Sequence, residues 1–266
     1  MTRLPRITVV TPSFQQARWL ERTIASVLDQ DYPDLEYMVL DGGSTDGSVA
    51  IIEAAADRLT RWWSRPDGGQ AAAIATGWHD ATGDVLTWLN SDDRYVAGTL
   101  LTIGRWFTDH PDGRFVYGRC RLVDADGAGL GVTGSPYGRT RLLLSHQMIP
   151  QPAAFLRRDL VDLVGSVDPS LRYSMDYDLF LRAASAERPT FLPVVLAEAT
   201  IHPDAKTTGE AGPAMAETRA LRRRHARGWE RAAVALQPAS SAIYHRLPER
   251  ARRIARPFRA RRIRER

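Results

Sequence analysis

The chain has 266 residues, 44% hydrophobic and 25% charged, which supplies one sizeable core and excludes both a stapled mini-protein and disorder along the whole length. A single cysteine, Cys120, excludes an intramolecular disulfide framework and a cysteine-rich metal site, and suits a reducing, cytoplasmic compartment. The net charge of +5 is unevenly spread: residues 245–266 hold ten Arg and two Glu, or +8, which leaves about −3 for the rest.

Arg6–Thr11 (RITVVT) is β-branched and runs into Pro12 and Ser13. Leu20, Ile24, Val27 and Leu28 then recur at helical spacing over Ala17–Gln30, so the chain opens strand, turn, helix. Leu35–Leu40 (LEYMVL) repeats the strand, Asp41–Gly47 is a glycine-rich turn, and Val49, Ile51, Ile52 and Ala55 open a second helix. Leu59–Ser64 is a third apolar run and Arg65–Gly69 a turn. Gln70–Ala81 is an Ala-rich helix with Gly83 expected as its C-cap, and Asp84–Leu89 is a fourth strand. Such alternation predicts parallel pairing with right-handed crossovers, an open α/β sheet covered on both faces, and ligands off the carboxyl ends of the strands. Further on, Phe115–Val123 and Gly129–Gly134 predict a hairpin, Asp176–Glu187 a helix and Thr190–Ile201 an extended run. After a boundary at Gly209–Pro213, a polar helix is expected over Ala214–Ala235. No apolar run approaches the roughly 18–20 residues of a membrane span, and Met1–Val10 is too short and broken for a signal peptide.

Three groups with chemical potential follow strand ends: Pro12-Ser13-Phe14, Asp41 to Gly47, and Ser91-Asp92-Asp93. Paired carboxylates at a strand terminus suit Mg²⁺ or Mn²⁺ bridging phosphate oxygens; the same three letters also serve to cap a following helix. The glycines of 42–47 let backbone approach a ligand, or simply make a tight turn. Phe14 reads either as a stacking platform or as core.

Together these stretches resemble the inverting glycosyltransferases of family 2, which share the GT-A fold. The likeness runs through ITVVTPSFQQARWLERTIASVLDQDYPDLEYMVLDGGSTDGS, PDGGQAAAIATGWHDATGDVLTWLNSDD, QPAAFLRRDL and SMDYDLFLR, roughly Ile7 to His202. It implies a nucleotide-sugar donor, a divalent metal and one in-line displacement at the anomeric carbon by an acceptor hydroxyl. Carried over, Pro12 and Phe14 flank the base and Asp41 holds the nucleoside. Asp67 and Gln70 lie near the donor, Asp92 faces ribose or sugar, and Asp93 binds the metal. His202 reaches the metal or diphosphate, Gln151 touches the acceptor or lines the site, and Asp176 is the catalytic base. The chain departs from the family at Gly42, where many members carry a second aspartate that reads the base. It departs also at Ala75, usually asparagine, and at Met175, often acidic. The Gln-x-x-Arg-Trp signature of processive polymer synthases is missing, which implies one sugar per encounter.

In the tail, Tyr244, Leu247, Ala251, Ile254 and Phe258 recur at three- and four-residue steps among arginines. That is the pattern of a basic amphipathic helix on an anionic bilayer; with Pro248 and Pro257 interrupting it, a solvated end is the alternative. No reader motif or interleaved aromatics point to nucleic acid. The expected organisation is a GT-A domain over 1–209, a helical extension over 210–243 and an Arg-rich tail over 244–266. The expected acceptor is a glycan or lipid-linked hydroxyl at the inner face of a membrane. A catalytically silent nucleotide-binding scaffold of the same fold is the rival. A sugar nucleotidyltransferase is disfavoured, because its glycine- and arginine-rich opening loop is replaced by Thr-Pro-Ser-Phe.

Overall fold

A computed structural model describes residues 3–144, 148–202 and 211–236, and its contacts divide the chain into two compact units, 1–218 and 219–266. The first unit is built on a nine-stranded sheet. Its strands are β1 (Ile7–Ser13), β2 (Leu35–Asp41), β3 (Arg61–Ser64), β4 (Val85–Trp88), β5 (Arg94–Tyr95), β6 (Phe115–Asp124), β7 (Gly129–Thr133), β8 (Ala154–Arg157) and β9 (Thr190–Ile201). Their spatial order is β3-β2-β1-β4-β8-β6-β9-β5, with β7 paired to β6. β1 pairs in parallel with β2 and β4, β2 with β3, and β6 with β9. β8 lies antiparallel to both β4 and β6, so β4 and β6 share one direction and the sheet is mostly parallel. The helices are α1 (Ala17–Leu28), α2 (Ser48–Ala54), α3 (Gln70–Asp80), α4 (Thr99–Asp109), α5 (Arg139–Leu144), α6 (Arg158–Val164), α7 (Met175–Ala186) and α8 (Ala211–His225).

The two-residue period of β1 and β2 sends alternate side chains to opposite faces, and both faces are covered. Ile7, Val9, Tyr37 and Val39 join Leu20, Ile24 and Val27 of α1 and Ile52 of α2 in one buried cluster. On the opposite face α3 sits so close that a Cβ on Gly77 would stand 2.8 Å from Cγ2 of Val10 and 3.0 Å from Cδ1 of Leu40. Buried Glu36 ties the α3–β4 connection to the sheet, accepting from Thr8 Oγ1 (2.5 Å), from the Thr82 amide and hydroxyl (both 2.8 Å) and from the Gly83 amide (3.2 Å). Burial pushes its carboxyl up, but these donors and Arg6 outweigh that and leave its pKa below the ordinary value.

Two sequence expectations are corrected and one alternative reading falls. Gly83 is not a C-cap: α3 ends at Asp80 with Ala81 as its extended cap, and Gly83 is glycine because a Cβ there would run into Thr8 Oγ1 and stand 2.8 Å from the Thr8 amide. Ser91-Asp92-Asp93 caps no helix, since the strand β5 follows it. The polar helix expected over Ala214–Ala235 is interrupted, α8 ending at His225 and helix resuming at residues 230–236 beyond Gly228, which has φ +51. No described helix is long and apolar enough to cross a membrane. The Arg-rich stretch 244–266 lies outside the described residues.

Candidate active site

At the carboxyl ends of β1, β2 and β4 a cavity of about 530 Å³ opens, within the size range of small-molecule sites. Phe14 follows β1 and is 59% exposed on its wall. Gln15 behind it has φ +55, uncommon for a residue with a side chain, and is held there by Ser44 Oγ, which accepts its amide (2.8 Å).

Asp41, the last residue of β2, is wholly buried and does not line the cavity. Its Oδ2 accepts from the amides of Gly43 (3.0 Å) and Ser44 (2.8 Å) and from Ser64 Oγ (2.7 Å), and its Oδ1 from Ser44 Oγ (2.6 Å). Burial alone would raise its carboxyl, yet the serine donors outweigh it and the pKa falls below the usual carboxylate value. An ionised Asp41 thus folds the loop that follows, and Gly42 from that loop faces the cavity. Asp67, from the β3–α3 loop, is exposed on the cavity wall, its Oδ1 accepting the Gly69 amide at 2.7 Å.

Three carboxamides cross the floor. Gln151 Nε2 donates to the Trp88 carbonyl (2.8 Å), Asn90 Nδ2 donates to Gln151 Oε1 (3.1 Å), and Gln70 Nε2 donates to Asn90 Oδ1 (2.7 Å). Gln70 and Gln151 are therefore brought together by Asn90, a residue that reading the sequence passed over as the tail of a strand. Its place just before Ser-Asp-Asp was the available signal.

The two adjacent aspartates part company. Asp92 lines the cavity, and its Oδ2 lies 3.0 Å from Nε2 of His202, which is 4% exposed and packs against Trp19 at 5.2 Å between ring centroids. Asp93 is buried and turned away, its Oδ1 accepting the Thr200 amide (3.2 Å) and its Oδ2 the Asn90 amide group (3.3 Å). Burial, reinforced by the charge of Asp92, lifts the Asp93 carboxyl well above the ordinary value. Thr23 Oγ1 of α1 fastens this turn, donating to the carbonyls of Ser91 (2.9 Å) and Asp93 (2.7 Å). Among the described residues no three His, Cys, Asp or Glu side chains cluster as a metal site. Asp92 and His202 are the neighbouring pair at the cavity that could hold a divalent cation.

The loop 172–174 and the first turn of α7 bring Arg172, Tyr173 and Asp176 to the same cavity. Removal from water pushes the half-buried Asp176 carboxyl up to about 6. The Tyr177 amide, donating to its Oδ1 at 2.7 Å, opposes the rise and nearby Glu217 adds to it. Glu217 of α8 grips the loop by three successive amides, Oε2 accepting from Arg172 (3.0 Å) and Oε1 from Tyr173 (2.9 Å) and Ser174 (2.6 Å). Nothing in the sequence singled out Glu217, because its partners are backbone groups.

The cavity thus gathers Pro12, Phe14, Asp67, Gln70, Asp92, Gln151 and Asp176; it leaves Asp41 and Asp93 behind the wall, and His202 reaches it through Asp92. Residues 8–161 match the sequence profile of Glycosyl transferase family 2. The uncharacterized glycosyltransferase Rv1514c of Mycobacterium tuberculosis is 32% identical over 206 residues, covering 74% of this chain and 76% of that one. Among solved structures, S. aureus TarS 1-349 in complex with UDP-GlcNAc superposes with a TM-score of 0.64 at 17% identity, over 81% of this chain and 65% of that one. The mannosyltransferase PcManGT from Pyrobaculum calidifontis, in complex with GDP-Man and Mn²⁺, gives 0.65 at 19% identity over 96% and 80%. The fold is that of the GT-A glycosyltransferases.

Proposed function

The chain belongs to glycosyl transferase family 2, and on that footing we propose that it moves a single sugar from a nucleotide-diphosphate sugar to an acceptor hydroxyl, with inversion at the anomeric carbon. The observation that carries this reading is one cavity lined both by Asp92, with its His202 partner, and by Asp176, whose carboxyl burial lifts to about 6. A general base works best with a pKa near the operating pH, and a carboxyl near 6 is largely ionised at pH 7 while still able to take a proton.

Asp176 accepts the acceptor's hydroxyl proton as that oxygen attacks the anomeric carbon. The bond from that carbon to the diphosphate breaks, and the nucleoside diphosphate leaves on the opposite face. One in-line displacement inverts the centre. Asp92 and His202 would hold a Mn²⁺ or Mg²⁺ ion, whose part when bound is to neutralise charge growing on the diphosphate. This assigns the metal to Asp92 in place of Asp93, whose carboxylate is spent on Thr200 and Asn90. Pro12, Phe14, Asp67 and Gln70 take the donor and Gln151 supports the floor between donor and acceptor. Asp41 serves the donor indirectly, by shaping the loop at 42–47.

The test is sugar transfer and nucleoside diphosphate release in Mn²⁺ or Mg²⁺. Asp92→Asn is expected to lose metal-dependent turnover while Asp93→Asn keeps most of it; equal loss in both, or full activity in Asp92→Asn, overturns the assignment. The acceptor is a glycan or glycolipid, and the arginines of 245–266 hold the enzyme to an anionic bilayer where such acceptors lie. Equal binding of the full chain and of a chain ending at Gln237 to phosphatidylglycerol vesicles at low salt would sink that part.

A further inference from the structure

Gly42 and Asp67 share one place. Gly42 is absent from the glycines with positive φ, so its backbone would accept any residue; space, not conformation, is what it supplies. A Cβ there would stand 3.3 Å and 3.4 Å from the two carboxylate oxygens of Asp67 and 3.3 Å from Cδ2 of Phe14. An aspartate at 42 would push a second carboxylate against Asp67, and like charges so close disfavour each other. The carboxylate at this point of the wall comes from the β3–α3 loop, not from residue 42.

Bare backbone at 42 is flanked by an exposed aromatic ring and an exposed carboxylate, all three on the cavity. A ring face offers stacking, and an ionised carboxylate offers acceptors only. The Gly69 amide takes one lone pair of Oδ1, which leaves both oxygens able to accept again. The complementary ligand is a flat heterocycle with N–H groups along an edge. Of the common bases, guanine alone sets two donors, N1–H and N2–H, side by side where a carboxylate can bind both. Uracil and thymine present one N3–H between two carbonyl oxygens, so a carboxylate gains one hydrogen bond from them against two from guanine. Adenine and cytosine set a single amino group beside an unprotonated ring nitrogen.

We propose that Asp67 reads the base of the donor and that this base is guanine. The proposal rests on the reading of the cavity as a nucleotide-sugar site.

The test is calorimetric titration of the full chain with GDP, UDP, dTDP, CDP and ADP in MnCl₂. GDP is expected to bind at least about tenfold more tightly than the others, the scale of one bidentate base contact. Asp67→Asn, an exposed change that should leave the fold intact by circular dichroism, is expected to remove about tenfold or more of the GDP affinity and to change UDP affinity less than threefold. Asp67→Glu is expected to restore part of the preference. Tighter binding of UDP or dTDP than of GDP, or a uniform loss for all five in Asp67→Asn, overturns the proposal while leaving the site reading intact. No binding of any of the five refutes the site reading itself, and the proposal with it.

Discussion

Replacing Asp176 by asparagine separates what the residue does for the fold from what it does for the reaction. Its carboxyl is lifted from 3.8 to about 6, chiefly by removal from water, so the folded protein holds this proton more tightly than the unfolded chain does. Between those two pH values the unfolded state has released the proton and the native state has kept it, and stability therefore falls as pH rises through the window. At 1.36 kcal/mol per pH unit, the native state gives up as much as about 3 kcal/mol by pH 7, relative to a neutral side chain of the same shape. Asparagine keeps an oxygen for the Tyr177 amide and carries no charge. Asp176→Asn should therefore match the parent in urea denaturation near pH 4 and exceed it by up to about 3 kcal/mol at pH 7 to 8, with an unchanged slope against urea. Turnover should drop by about 10²–10⁴, the range of a lost general base, and the parent's rate should rise with pH through about 6. A variant no more stable than the parent at pH 8, or one that still transfers sugar at the parent's rate, refutes the reasoning.

Two further substitutions test the support of the site and the sheet. Glu217→Gln removes the charge that helps lift the Asp176 carboxyl and weakens the grip on three amides, so the acid limb of the rate profile should move below 6 and kcat should fall with little change in donor affinity; an unmoved limb would count against it. Gly77→Ala drives a methyl into Val10 and Leu40 and should cost about 1–3 kcal/mol in thermal or urea unfolding, whereas a neutral result would mean that α3 stands off the sheet further than described.

The β-branched runs of β1 and β2 and the helical spacing of Leu20, Ile24 and Val27 made the first half of the fold legible, because burial on two faces leaves a pattern in the residues themselves. β8 left less: its four residues, antiparallel between β4 and β6, carry no period, and the strand that the family resemblance starts at Gln151 begins only at Ala154. At the site, the carboxylates were visible but their directions were not. Which of Asp92 and Asp93 faces the cavity is set by a tight turn in which the Asp93 amide donates to the Asn90 carbonyl, and by Thr23 arriving from α1. Asp41 looked like a ligand-binding residue and is an internal clasp, since the amides of Gly43 and Ser44 needed an acceptor. Glu217 stayed hidden because backbone amides have no letter.

The three carboxamides beneath the cavity have a grain. Each donates at one end and accepts at the other, so the orientation of one dictates the next, and the series begins at the Trp88 carbonyl, which has no proton to give. Gln151 must turn its nitrogen to that carbonyl, Asn90 its nitrogen to Gln151, and Gln70 its nitrogen to Asn90. The Trp88 peptide oxygen on β4, together with the Asp93 carboxyl that also accepts from Asn90 Nδ2, thus sets which way the amide protons point across the floor. A bound ligand meets a surface whose polarity was written before it arrived, while the carboxylates at the rim remain free to respond to charge.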